Sequence, residues 1–386
     1  MAASVPSDMD KQPELDQALN AAEKKVCAHL VDGVVPAQRL NLVAQSHSPG
    51  MPDSLFQNEG EVKEETFKYS WDECRRDIPA LTSRVRILTW NTLADGLAQH
   101  GDFVKVPSKL LDWESRAPVL LRELEESGAD VICLQEVNHF DDCFLPGLEK
   151  LGYSGRFQPK ILSPSARFGY AADGVALFYK ASRFEMRGYE TLQFVDPNGD
   201  NMSQCALLCR LRDLQTGDQM LLATTHLKAK TGADNDATRA IQIKQLLKRI
   251  AALADSTVPV VLCGDFNCSP DSDVCAALRT HSLGLADAFA QPVASTSELW
   301  VDAESSAGND SGNGRAGAPE GRAFTTWKFR PGGEKKDTID YIWYRGLDLV
   351  RRRRLPTSEM IGPSALPSRR HPSDHIPVCC ELAWPQ

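Results

Sequence analysis

A chain of 386 residues, 42% hydrophobic and 25% charged, has room for one or two folded domains and the balance of a soluble enzyme. Its net charge of −9 argues against a long non-specific nucleic-acid track, which needs a dominant basic surface, but leaves room for a local basic pocket holding one or two phosphates. No apolar run approaches the about 18 residues of a membrane span, and the 11 cysteines lack the CxxC pairing of a structural zinc site, so reduced, buried thiols are expected.

The N-terminus, MAASVPSDMDKQPELDQ, is acidic and lacks the apolar core of a signal peptide and the basic character of a transit peptide. The cytoplasm is therefore the expected compartment, with nucleus and mitochondrion left open. Residues 1–80 read as a largely flexible extension. Within it Leu15, Leu19, Ala22 and Val26 have helical spacing, and a linker rich in Ser, Pro, Gly and acidic residues follows (SHSPGMPDSLFQNEGEVKEE). The catalytic domain is expected over 81–386, its fold beginning near Phe67–Ser83.

From Arg84, short apolar strands alternate with helical segments. RVRILTWN ends on Asn91, and His100 to Pro107 reads as loop. Trp113 to Ser127 reads as a helix stopped by Gly128, with Pro118 moving its start towards Ser115. DVICLQE ends on Glu136 and completes a βαβ-like unit. Strands near Gly174–Lys180, Thr191–Val195, Cys205–Leu211 and Gln219–Leu227 come without intervening helices, so part of the sheet is antiparallel. Asp236 is expected to N-cap a helix reaching about Ala254, with Ala240, Ile243, Leu247 and Ile250 on one face. Val260 to Cys263 then form a strand buried on both faces, and Gly264 lets the chain turn. Asp265 and Asn267, two apart in extended chain, aim at one place while Phe266 points away. Ser272 to Thr280 reads as a short helix, and residues 302–322 as a flexible insertion. The last strands surround Asp340 (DTIDYIWY) and Asp374 with His375 (PSDHIPVCCEL). No internal repeat occurs, and leucine-rich repeats in particular are absent.

A carboxylate and an amide at the end of a core strand suit the orienting of water against an electrophile. Any single Asp or Asn there has the plainer reading of a turn former. The pattern recurs, however, at Asn91, Glu136, His226, Asp340 and the Asp374–His375 pair. Carboxylates, carboxamides and histidines gathered without a nucleophilic Ser or Cys point to metal-assisted hydrolysis. Asp95 and Asp112 read as turn or cap residues, Trp327 as core rather than a base-stacking platform, and Arg351–Arg354 as a solvated face. Five basic residues lie near the strand ends: Lys160, then Lys228 and Lys230, then Lys328 and Arg330. The last four form two pairs at i, i+2 spacing, which suits a compact substrate carrying several phosphates.

The motifs WN, LQE, THLK, GDFN, DY and SDH, in that order from Arg84 to Leu382, resemble the endonuclease/exonuclease/phosphatase superfamily. The longer strings LKAKTG, TTWKFR, DYIWY and IGPSALPS resemble its branch related to the carbon-catabolite-repressor-type deadenylases. The resemblance implies an α/β fold, a DNase I-like four-layer α/β/β/α sandwich of two mixed sheets, with the site where their strand ends meet. It implies Glu136 as the principal Mg²⁺ ligand, Asn91 supporting metal or phosphate, and Asp265 orienting or deprotonating the attacking water. Asn267 would hold the phosphoryl group, His226 would donate to a non-bridging oxygen, and His375, fixed by Asp340, would stabilise the transition state. Asp374 would be a carboxylate behind these residues or on the metal side.

For the substrate, the resemblance implies NADP(H), with Lys160, Lys228, Lys230, Lys328 and Arg330 holding the dinucleotide's phosphates while the 2′-phosphate is removed. The alternative is a poly(A)-specific 3′-to-5′ exoribonuclease, and a third reading is a non-catalytic nucleotide-binding protein. One departure from the branch is Ala172, where its members usually carry proline.

Overall fold

Strand runs such as RVRILTWN and DVICLQE place successive side chains on opposite faces, and here both faces are covered. The computed structural model describes residues 70–75, 77–79, 83–290 and 323–385. The expected helix within 13–30, the linker after it and the insertion at 302–322 lie outside the described residues.

The strands are β1 (Trp71–Glu73), β2 (Arg84–Asn91), β3 (Val131–Val137), β4 (Tyr153–Pro159), β5 (Gly174–Lys180), β6 (Phe184–Val195), β7 (Asn201–Asp213) and β8 (Gln219–His226). They continue with β9 (Val260–Asp265), β10 (Ala286–Asp287), β11 (Thr326–Arg330), β12 (Gly333–Asp337), β13 (Asp340–Arg345), β14 (Asp348–Arg353) and β15 (Val378–Ala383). The first sheet runs β1-β14-β15-β2-β3-β5-β4 and the second β10-β13-β9-β8-β7-β6, while β11 and β12 form a separate hairpin. Each sheet contains one parallel pair, β2–β3 and β8–β9, among antiparallel neighbours. The α-helices are α1 (Asp95–Gln99), α2 (Trp113–Ser127), α3 (Leu145–Glu149), α4 (Ala233–Leu253), α5 (Asp273–Thr280) and α6 (Ser358–Ile361).

Three apolar clusters make the layers. Ile87, Cys133 and Leu177 from the first sheet meet Leu207, Leu222, Val261 and Ile342 from the second, filling the space between the sheets. The outer face of the first sheet (Leu88, Trp90, Ile132, Leu134) takes Leu120 and Leu124 of α2. The outer face of the second (Leu221, Ala223, Leu262, Trp343) takes Ile243, Leu246 and Ile250 of α4 and Val274 and Leu278 of α5. The result is the expected four-layer α/β/β/α sandwich of two mixed sheets.

Several local expectations change. Helix α2 begins at Trp113 and carries Pro118 inside, while Gly128 ends it in the left-handed conformation at φ 58°. Helix α4 begins at Ala233, so Asp236 lies in its first turn and pairs with Arg239 instead of capping. Ala240 is exposed, and the buried Arg239 and Gln242 flank Ile243 on the inner face. β6 and β7 are longer than expected. β1 pairs with β14, which carries the sheet back to Trp71, inside the interval Phe67–Ser83. Nor is Arg351–Arg354 a solvated face. Arg351 binds Glu381, Arg353 is buried against Glu123, and Arg354 binds Asp72. Trp327 is buried with Phe324 and Leu366, as core.

One glycine is required by close approach. At Gly264 φ is +142°, and a Cβ would lie 2.0 Å from the Thr225 carbonyl oxygen on β8. Neither backbone can retreat without breaking the parallel pair. Gly264→Ala is therefore expected to destabilise the fold by more than about 3 kcal/mol, read as a lowered urea midpoint. An unchanged midpoint would contradict this packing.

Candidate active site

Register sets the site. In the second sheet Asp265 is the direct partner of Asp340 on β13 and of His226 on β8. All three point to the inter-sheet side, because Cys263 and Val261, two and four residues back from Asp265, belong to that core. In the first sheet the same face of β2 reads Ile87, Thr89, Asn91, changing from apolar to polar towards the strand's C-terminal end. Thr89, Gln135 and Thr224 form a hydrogen-bonded layer at this change, with Gln135 Nε2 3.1 Å from Thr89 Oγ1 and 3.0 Å from Thr224 Oγ1.

Glu136 arrives by a different device. Simple alternation from Leu134 returns its side chain to the helix-covered face. Against β5, however, Gln135 pairs with Val175 and Val137 with Gly174, so Glu136 is an extra, unpaired residue. Its φ of +55° marks the bulge. The carboxylate accepts from Asn91 Nδ2 at 3.1 Å and from the Ala94 N–H at 3.1 Å. A non-glycine residue held at positive φ stores local strain, as is common where a side chain must be aimed.

The loop entering β15 is tied onto β2. Trp90 Nε1 donates to the His375 carbonyl at 2.8 Å, and Ser373 Oγ donates to the Asn91 carbonyl at 2.6 Å. Arg116, which sequence reasoning missed, is buried, and among the described residues its hydrogen bonds go to carbonyls and to no carboxylate. It donates to the carbonyls of Thr92, Leu93, Leu111 and Pro372, joining the segment after Asn91 to the one before Asp374. Nothing in WESRAPVLL distinguishes this arginine from a solvated one.

Asp265 Oδ2 is the centre. It lies 3.0 Å from Asn91 Nδ2, 3.6 Å from His226 Nε2 and 3.7 Å from His375 Nε2. Asp340 Oδ2 holds His375 Nδ1 at 2.9 Å. Burial, reinforced by the Asp340 charge and opposed by His375, pushes the Asp265 carboxyl up to about 7. Burial works against the charged form of His375, but Asp340, Asp265 and Asp374 outweigh it and raise the imidazole to about 9. For His226, burial and then the nearby Lys160 and His375 charges push the other way, lowering it well below the usual imidazole range. Burial alone would raise Asp374, yet Lys328, His375 and Arg330 hold it well below the usual carboxylate range.

The other expected residues divide. Lys160 is buried, with Nζ 2.5 Å from Asp173 Oδ2 and 3.3 Å from His226 Nδ1. Lys328 Nζ is 2.5 Å and Arg330 Nη2 3.6 Å from Asp374 Oδ2, so both reach the site through the residue next to His375. Asn267 leaves the extended conformation, with φ +51°; its N–H donates to Asp265 Oδ1 and its Nδ2 to the Leu227 carbonyl. The alternation inferred for Lys228 and Lys230 is broken by φ +74° at Lys230, and both carbonyls accept from Arg239 instead. Among the described residues, neither lysine side chain bonds to the cluster. Asp95 lies in the first turn of α1, and Asp112 stands at the N-cap position of α2.

Two groupings are candidates to hold a cation. Asp265, Asp340 and His375 lie close enough to share one. In that group, though, His375 Nδ1 donates to the Asp340 carboxylate and the surrounding carboxylates favour its imidazolium form, which has no lone pair for a cation. Glu136 and Asp265, bridged by the Asn91 Nδ2 that donates to both, offer two carboxylates with one partly exposed, the oxygen donors that a hard divalent ion with retained waters prefers. The residues at Glu136 therefore fit such an ion better.

Residues 88–375 match the Endonuclease/Exonuclease/phosphatase family. The chain is 33% identical to human Nocturnin over 324 residues, spanning 82% of this chain and 69% of that protein. It is 27% identical over 351 residues to the CCR4-Not complex 3′-5′-exoribonuclease subunit Ccr4 of Yarrowia lipolytica, spanning 77% of this chain and 48% of the other. The human Nocturnin catalytic domain, solved with a bound sulfate anion, superposes with a TM-score of 0.61 at 28% identity, covering 83% of this chain and 98% of that one.

Proposed function

The chain belongs to the endonuclease/exonuclease/phosphatase family, and from that premise we propose that it is a Mg²⁺-dependent phosphatase removing the 2′-phosphate of NADP(H). The observation that carries this is the crowding of one carboxylate oxygen, Asp265 Oδ2, by Asn91, His226 and His375. Asp265 takes the proton of the attacking water. Asn91 and His226 donate to phosphoryl oxygens, and Asn267 fixes the turn that aims Asp265. His375, held by Asp340, faces the charge that develops on the far side. Held by Glu136, a hard divalent cation supplies further neutralisation of phosphoryl charge.

The substrate's size is argued from charge. Lys160, Lys328 and Arg330 converge within contact of His226 or Asp374, while the chain as a whole carries −9. A localised cationic rim on an acidic protein favours a compact polyphosphate over a long polyanion. The sulfate held by the human relative, an anion of phosphate's shape, is consistent with a phosphate-sized site. Arg330, stacked 3.6 Å over the Phe103 ring with Nη2 3.6 Å from Asp374 Oδ2, is the cation we assign to a substrate phosphate beside the site. Arg330→Ala is expected to raise KM about 10-fold with kcat changed less than about threefold. A selective fall in kcat would instead place Arg330 at the chemical step.

The second reading, a poly(A) 3′-to-5′ exoribonuclease, is favoured by the match to Ccr4 across 77% of this chain. Incubating the protein with Mg²⁺ and either NADPH or an oligo(A) with a free 3′ end separates the two. Phosphate from NADPH with intact oligo(A) supports the first reading, and AMP from oligo(A) the second. Nucleotide binding without turnover leaves a non-catalytic binding protein.

A further inference from the structure

We propose that Asp173, acting through Lys160, fixes which nitrogen of His226 carries its proton, which makes Asp173 a positioning residue for hydrolysis. The proposal rests on the phosphohydrolase reading for its consequence, though not for the proton placement itself. Asp173 lies between Ala172 and the start of β5 at Gly174. In the fold it is fully buried, and both carboxylate oxygens are engaged. Oδ1 accepts from Ser163 Oγ at 2.5 Å and Oδ2 from Lys160 Nζ at 2.5 Å. The same serine hydroxyl accepts the N–H groups of Ser165 and Asp173, and the Lys160 N–H donates to the Asp173 carbonyl. The carboxylate is thus held by side chain and backbone alike.

Lys160 has little freedom either, being 4% exposed. Its ammonium sits opposite Asp173 and has hydrogens to give but no lone pair to receive one. At 3.3 Å, His226 Nδ1 can meet it only as an acceptor, and the Glu136 carboxylate, 3.9 Å from the same nitrogen, stands beyond hydrogen-bonding distance. A proton on Nδ1 would set two hydrogens head to head between two buried side chains. The imidazole proton therefore belongs on Nε2, the nitrogen 3.6 Å from Asp265 Oδ2. The other imidazole is backed in the opposite sense, since His375 Nδ1 faces the Asp340 carboxylate and must donate to it. A cationic donor stands behind one histidine and an anionic acceptor behind the other, so both present Nε2–H to the same oxygen and to any phosphate that replaces it.

This arrangement commits two of the three Lys160 hydrogens, leaving at most one for substrate. The test uses the full chain, metal-free, with ¹⁵N-labelled histidine, and assigns His226 by its loss in His226→Gln. Long-range ¹H–¹⁵N correlations should show Nε2 protonated and Nδ1 bare in the wild type. A wild-type His226 protonated on Nδ1 overturns the proposal, whether or not any variant folds. In Asp173→Asn the single assignment should give way to a mixture of the two forms, and kcat should fall about 10-fold with KM within about twofold. In the His226→Ala background the same change should cost nothing further. Equal losses in both backgrounds would mark Asp173 as merely structural. A wild type inert on phosphate esters would remove the functional consequence, while the ¹⁵N spectrum would still decide the proton placement.

Discussion

Glu136→Gln is expected to lower kcat/KM by more than about 10³-fold, beyond the 10²–10³ that one lost transition-state donor costs. Glutamine has nearly the same shape, and one side-chain oxygen can still accept from the Ala94 N–H as Glu136 does. The bulge, set by the pairings of Gln135 and Val137 with β5, does not depend on the carboxylate. Folding should therefore persist, with the melting temperature within a few degrees of wild type. What goes is the negative charge at the one partly exposed carboxylate of the oxygen cluster, and with it the hold on a hard cation. Steady-state kinetics over a Mg²⁺ titration would show activity lost and little recovered at high concentration. Activity within about 10-fold of wild type at saturating Mg²⁺ would move the cation to the Asp265–Asp340–His375 group and leave Glu136 a strand-end acceptor.

Much of this was legible because strand alternation is a strict rule. The apolar runs before Asn91, His226 and Asp265 and after Asp340 mark strands whose polar ends share the inter-sheet face, and the structure places them on it. The layered fold followed from the same runs and from the Leu120–Leu124 and Ile243–Ile250 helix faces. What sequence could not give was local backbone departure and long-range pairing. Period-two reasoning aims Glu136 at the wrong face, and only the bulge corrects it. It likewise aimed Lys230 and Asn267 as if extended, whereas both sit at positive φ. Arg116 carried no signal and Arg353 read as part of a solvated face, because partners that bury them lie far along the chain, at Pro372 and Glu123. Burial of a charge is decided by such partners, which no local window contains.

The acid–base pair makes the second large prediction. Asp340→Asn is expected to lower kcat by about 10²- to 10⁴-fold, the range associated with a positioned proton-transfer group, and also to move the whole pH profile. In the wild type Asp265 must be ionised to take a proton from water, so activity should rise as pH passes about 7. His375 must stay protonated to face developing negative charge, so activity should fall as pH passes about 9. Asp340 raises both groups, since its charge disfavours a second carboxylate and favours an imidazolium. Neutralising it should therefore carry both limbs of the kcat/KM profile to lower pH, an outcome that simple loss of packing does not produce. A divalent cation near Asp265 favours its ionised form and should draw the acid limb lower by itself. The alkaline limb, which His375 governs, should depend far less on cation concentration. An Asp340→Asn profile that keeps its limbs while losing amplitude would reduce Asp340 to a structural anchor for His375. A wild-type rate flat across both limbs would remove Asp265 and His375 from proton transfer altogether.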